Sequence, residues 1–220
     1  MIITAIERQK KRAQRFNVFI DGEFALGTSA STLLKFGLRK GDAVDERTVN
    51  TIRNFEDFTA AKEKALRLIA HRLRSESELK KRLQEKGFEP SVIQQVMANL
   101  REAKLIDDRA FALAFSHDFM LKKPSGKRLL ERQLFMKGIS KELIHEVAES
   151  ISPEIEKKEA LEAAAKLLKR YSVSRKKSDA QKQRQRITAF LTRRGYEYST
   201  VRMVTKKLFS TIDEPDESNF

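Results

Sequence analysis

The sequence predicts a mainly α-helical protein, a tandem array of three three-helix repeat units preceded by a small N-terminal β-hairpin and helix segment. Only eight Gly and four Pro occur in 220 residues, too few for the frequent turns of an all-β chain. The 40% hydrophobic and 35% charged residues fit several small cores under much solvated surface. Most directly, one set of apolar positions recurs at fixed distances from three glycines.

Residues 1–57 read as the N-terminal segment. Phe16, Val18 and Ile20 alternate with other residues and lead into Asp21-Gly22, a two-residue signal for a tight hairpin turn, followed by Glu23 to Gly27. Ile2 to Glu7 supplies a further strand, and helices are expected at Ser29 to Phe36 and Asp45 to Phe55. Between the first two strands the string RQKKRAQR sets five bases on one loop, Arg8, Lys10, Lys11, Arg12 and Arg15.

The repeats follow at 58–106, 107–151 and 152–209. Aligning Gly87, Gly138 and Gly195 places Leu79, Leu130 and Ile187 eight residues before the glycine, and Leu83, Leu134 and Leu191 four before. Directly after it come Phe88, Ile139 and Tyr196; at plus six Ile93, Ile144 and Val201; at plus nine Val96, Val147 and Val204; at plus thirteen Leu100, Ile151 and Leu208. The offsets before the glycine put apolar residues on one face of a helix, and those after it do so for a second. The glycine between them suits the left-handed residue that ends a helix, with the apolar residue after it packing back. A third amphipathic stretch precedes each pair: Phe58 to Leu73, Asp108 to Leu121 and Pro153 to Tyr171. Ser75 with Glu78 forms a capping box, and Asp107 or Asp108 can cap the next helix.

Charge is unevenly spread. The formal net charge is +14, made of +2 over 1–57, +5 over 58–106, +1 over 107–151 and +10 over 152–209; residues 210–220 hold four acids and no base. In RYSVSRKKSDAQKQRQR a single acid, Asp179, stands among the bases, the footprint of a surface that meets phosphates or another polyanion. The tail 210–220 lacks an apolar period and is expected to be disordered. With no cysteine, disulfides, thiolate metal sites and a cysteine nucleophile are excluded, and a reducing, cytoplasmic location is the expectation. No uncharged stretch approaches the roughly 20 residues of a membrane span, and the N-terminus lacks the order of a secretory signal.

Catalysis finds little support. His71, His117 and His145 fall in different helices without partners at ligand spacing, so neither a metal site nor another cofactor is expected. Glu102, Asp107 and Asp108 read as capping acids rather than a nuclease cluster, and no phosphate loop, nucleophile elbow or HExxH pair occurs. Binding is the better reading. Basic sets recur near the turn between the first and second helices of each unit: Arg72, Arg74, Lys80, Lys81 and Arg82; then Lys127 and Arg128, after Lys122 and Lys123; then Arg175, Lys176, Lys177, Lys182, Arg184 and Arg186, with Arg193 and Arg194 at the corner. Unit three and the RQKKR loop are the strongest candidates for contacting nucleic acid or a filament, and the nearly neutral second unit the weakest. A helix–turn–helix regulator is an alternative, although QQVMANLREAK shows no cluster aimed at base edges. A general nucleic-acid-binding helical protein is another.

The strings HRLRSESELKKRLQEKGF, LIDDRAFALAF and KPSGKRLLERQLFMKGI resemble the RecX family of bacterial recombination regulators. They share its arginine-serine pair before Glu-Leu, its Lys-Gly corners and its Ile-Asp-Asp start followed by Phe-Ala. The motif match covers about residues 60 to 150, and the repeat spacing extends it to about 209. The resemblance implies a non-enzymatic modulator that binds RecA recombinase filaments along their helical groove. It also implies suppression of strand exchange, ATP turnover and coprotease activity in DNA repair and the SOS response, with non-sequence-specific binding of single- or double-stranded DNA and no membrane association. The third unit departs from the pattern, lacking the Ser-x-x-Glu-Leu box and carrying a longer basic loop.

Overall fold

The computed structural model describes residues 1–10, 14–173 and 179–210. The chain divides into two compact units, Met1–Ile106 and Asp107–Phe220. Lys11, Arg12, Arg175, Lys176 and Lys177, together with all of the acidic tail after Ser210, lie outside the described residues.

In the first unit, strands β1 (Ile3–Arg8), β2 (Arg15–Ile20) and β3 (Glu23–Ser29) form an antiparallel sheet in that order. Asp21 and Gly22 both have positive φ, +50° and +88°, the signature of the hairpin turn whose twist matches its strands. Helix α1 (Ala30–Phe36) and the first half of α2 (Glu46–His71) cover the sheet. Ile3, Val18, Ile20, Leu26, Val49 and Ile52 make its core. The helices expected at 45–55 and 58–73 are one continuous α2, capped by Asp45, whose carboxylate accepts from the Thr48 amide at 2.7 Å. Its second half, through Ala61 and Ala65, packs with α3 (Glu76–Gln84) and α4 (Pro90–Glu102) around Leu79, Leu83, Val96, Met97 and Leu100.

The second unit repeats this arrangement twice. Helices α5 (Asp108–Lys122), α6 (Lys127–Met136) and α7 (Lys141–Glu149) enclose Phe111, Leu130, Leu134, Ile139 and Val147. Helices α8 (Pro153–Val173), α9 (Ala180–Arg193) and α10 (Tyr198–Phe209) enclose Ala160, Ala164, Ile187, Leu191, Tyr196 and Val204. The six positions eight and four residues before the glycines are fully buried, each worth about 2 kcal/mol by burial of an aliphatic side chain.

All three corners have one geometry. Gly87, Gly138 and Gly195 sit at φ +82°, +75° and +78°. The amide after each donates to the carbonyl five residues back, Phe88 to Leu83, Ile139 to Leu134 and Tyr196 to Leu191, at 3.2–3.3 Å, while each glycine amide donates to the carbonyl three back. This doubly bonded cap needs a left-handed residue at the glycine and brings the next apolar side chain onto the helix it closes.

Repeats two and three are joined through backbone. The Gly126 amide donates to the Arg194 carbonyl at 2.9 Å and the Arg128 amide to the Gly195 carbonyl at 3.2 Å. The Lys127 amide donates to Oε1 of the buried Glu156 at 3.0 Å. The start of α6, where Gly126 offers no capping side chain, is therefore capped by the third repeat.

Candidate nucleic-acid and filament interface

Several of the predicted bases are engaged within the fold, and others are exposed. Arg15 at the start of β2 is engaged. It lies 3.3 Å from Glu56 on α2 and donates to the Gly27 carbonyl. Glu56 is the hub here, accepting from the Thr28 hydroxyl and from the Ser29 amide and hydroxyl at 2.8–3.0 Å. Burial pushes its pKa up, but the hydrogen bonds from Thr32, Ser29 and Thr28 together outweigh this and hold it below the usual value. On the same hairpin Arg8 and Lys10 are exposed.

In repeat one most of the set has local partners. Arg72 makes a two-pronged contact with Glu78 at 3.0 and 3.3 Å, Lys80 reaches Glu76 at 2.7 Å, and Arg82 reaches Glu85 at 2.9 Å. Arg74, half-buried, donates to the Leu68 carbonyl. Lys81 and Lys86 are exposed, with no ion pair among the described residues. Exposed pairs of this kind are weak and screened by salt, yet they locally cancel the field that a phosphate would feel.

In repeat two, Lys127 is withdrawn from solvent, its side chain only 13% exposed and 3.9 Å from Glu149. Arg128 on the same turn is exposed and open. Sequence reasoning missed four further residues on this face, Arg132 and Phe135 of α6 and Lys141 and His145 of α7, which line one groove with Arg128. A signal existed. Phe135 stands three residues before the corner glycine, where the other repeats carry Gln84 and Thr192.

In repeat three, Lys182, Arg184 and Arg193 are exposed on α9 without ion pairs among the described residues, and Arg186 is exposed beside them. Arg184 and Arg193 border a groove on α9 floored by Thr188, Ala189 and Thr192. Arg194 is engaged instead, lying over the Phe190 ring at 5.3 Å and donating to the Pro124 carbonyl. The grooves of repeats two and three share offsets of ten, seven, six and three residues before the corner glycine, so they are the same face of the second helix.

Asp107 caps α5, its carboxylate accepting from the Arg109 and Ala110 amides at 2.8 and 2.9 Å. Among the described residues no group of three or more His, Asp or Glu side chains is placed to hold a metal ion, and no helix is long and apolar enough to cross a membrane.

Fold and surface together define a basic helical-repeat protein. Residues 1–45 match the family model described as the regulatory protein RecX N-terminal domain, 61–100 the RecX first three-helix domain, and 158–205 the RecX third three-helix domain. The regulatory protein RecX of Listeria welshimeri is 30% identical over all of this chain and 80% of its own length. That of Bacillus licheniformis is 34% identical over 90% of this chain and 74% of its own. The chain belongs to the RecX family of regulatory proteins. Among solved structures, a crystal structure of regulatory protein RecX, 27% identical, superposes with a TM-score of 0.71 over 93% of this chain and 98% of that one. RecX from Lactobacillus salivarius, 20% identical, shares the fold with a TM-score of 0.63 over 69% of this chain and 96% of that one.

Proposed function

We propose that this protein binds RecA nucleoprotein filaments and negatively modulates their recombinase, ATP-hydrolysing and coprotease activities in DNA repair and the SOS response. It does so without catalysis of its own and in the cytoplasm. Family membership supports the regulatory role. The observation that carries the mode of action is that every repeat exposes open cations on or just after its second helix: Lys81 and Lys86, then Arg128 and Arg132, then Lys182, Arg184 and Arg193. A basic set repeated along one chain suits a repetitive polyanionic polymer better than a compact ligand. Lys10, exposed on the N-terminal hairpin, extends the set. Arg15, Lys127 and Arg194 serve the fold and fall out of it.

The test is ATP hydrolysis by RecA on filaments preformed on single-stranded DNA, titrated with the protein. Inhibition of preformed filaments at concentrations that leave naked DNA unbound is the expected result. Inhibition that vanishes once filaments are preformed would leave only DNA sequestration and favour a general nucleic-acid-binding protein.

A further inference from the structure

We infer that the groove between α6 and α7 of repeat two is a single-strand-specific site, in which an unstacked nucleobase lies on the ring of Phe135 while Arg128, Arg132 and Lys141 hold the flanking phosphates. The inference rests on the polyanion-binding part of the proposed function and names the form of nucleic acid and the residue that selects it.

Phe135 stands outside the core of its repeat. The residue is 61% exposed, while its neighbour Leu134 fills the core of the repeat. It makes no ring contact with a described residue. The equivalent positions, Gln84 and Thr192, are polar, as this solvent-facing offset demands. A lone exposed apolar side chain is common; its setting is what distinguishes this one. The groove is about 430 Å³, and around the ring stand Arg128, Arg132, Lys141 and His145 against a single acid, Glu131. The two arginines and Lys141 are exposed and make no ion pair with a described residue.

Cations flanking an open ring match the chemistry of an unpaired strand, whose phosphates and bare base faces occur together. A duplex offers the phosphates but keeps its base faces inside the stack, so the ring adds nothing to duplex binding. An acidic protein segment would use the cations, but nothing around Phe135 forms the closed apolar pocket that a protein anchor fills. The sequence ranked this repeat the weakest binder on net charge. Net charge does not describe the groove itself, because two of the repeat's acids are paired away from it: Glu146 with Arg109, and Glu149 facing Lys127.

The test uses the full chain, with a dye-labelled oligothymidylate of about 20 nucleotides and a duplex of equal length. Phe135→Ala should weaken single-strand binding about 5- to 150-fold, the range for loss of one base–aromatic stack. Its duplex affinity and its dependence of log K on log salt should match the parent, because no phosphate contact is removed. Replacing Arg128, Arg132 and Lys141 by Ala should instead flatten the single-strand salt slope by about 0.7 per lost contact. The chain contains no tryptophan, so F135W introduces one reporter, whose emission should be quenched by oligothymidylate. Equal losses on strand and duplex, or an unquenched F135W protein that still binds the oligonucleotide, would overturn the site while leaving nucleic-acid binding intact. Unchanged single-strand affinity of Phe135→Ala with weakened action on RecA would assign the ring to a protein partner. A parent protein that binds neither nucleic acid would remove the reading on which the site rests.

Discussion

Three glycines of this fold are held to their residue type by different forces. Gly87 has φ +82°, and a Cβ there would meet nothing within 4 Å, so Gly87→Ala carries only left-handed strain, about 1 kcal/mol. Gly195 carries the same strain, and its Cβ would also run into Leu129 at the start of α6. Gly126 sits at φ −81°, without strain, yet its Cβ would overlap the Gly195 carbonyl and the Tyr196 backbone. Thermal melts should therefore rank Gly87→Ala as the mildest of the three. Equal losses at Gly87 and Gly195, with none at Gly126, would mean that the junction between repeats two and three opens freely. Two carboxyls make a complementary pair. The pKa of Glu56 is lower in the folded chain than the usual 4.5, so its ionised form stabilises the fold. That contribution is complete above pH 4.5 and is lost as pH falls through the folded value. Glu159 is shifted the other way, by burial first and then by Glu162 and Glu156, and its Oε2 is buried without a hydrogen-bond partner among the described residues. Its ionised form costs stability above the folded value, and the cost disappears as pH drops below 4.5. Glu56→Gln should lower the melting temperature near pH 7 and Glu159→Gln should raise it, with both differences shrinking in acid. Parallel shifts of the same sign would refute this assignment.

At the scale of elements, α2 shows what periodicity conceals. Val49, Ile52 and Glu56 face the sheet, whereas Ala61, Ala65 and Leu68 face repeat one. From Glu56 to Ala61 is five residues, which rotates the buried stripe by about 140° on an α-helix. One helix with a change of face reads as two helices. Continuity has its own sequence signal, since no Gly or Pro occurs between Glu46 and His71. Asp57 lies exposed inside this helix, so Asp57→Pro should cost about 3 kcal/mol and Asp57→Ala little. Equal denaturation midpoints for the two variants would restore the two-helix reading. The corners were legible for the opposite reason: a doubly bonded glycine cap is written within six consecutive residues, as in Leu83 to Phe88. The cap of α6 was not legible, because Glu156 comes 29 residues after the Lys127 amide that it accepts from and only the packing of two repeats brings them together.

For the whole molecule, composition identified the bases but not which of them are open, since the pairing of Arg15 with Glu56 and the burial of Lys127 exist only once the chain is folded. This distinction shapes the functional test. Cutting the chain after Ile151 would remove Glu156 and the Gly195 corner from the start of α6, so lost inhibition would report damage to repeat two as well as the absence of repeat three. Substitutions at open positions avoid that ambiguity. Three pairs serve, Lys81 with Lys86, Arg128 with Arg132, and Arg184 with Arg193, each replaced by Ala in the full chain. If the repeats engage one filament together, each later repeat binds at the high effective concentration set by the first. Each pair should then weaken inhibition of RecA ATP hydrolysis on preformed filaments several-fold, and the six substitutions combined should abolish it. Each lost phosphate contact should flatten the salt dependence by about 0.7 to 0.9, while melting temperatures stay near the parent value because all six side chains are exposed. Excess naked DNA should not restore ATP hydrolysis to filaments inhibited by the parent protein, since the filament presents both the strand and the repeating protein surface. Full recovery on adding naked DNA, or a combined variant that inhibits as well as the parent, would place the interaction on surfaces other than these helices.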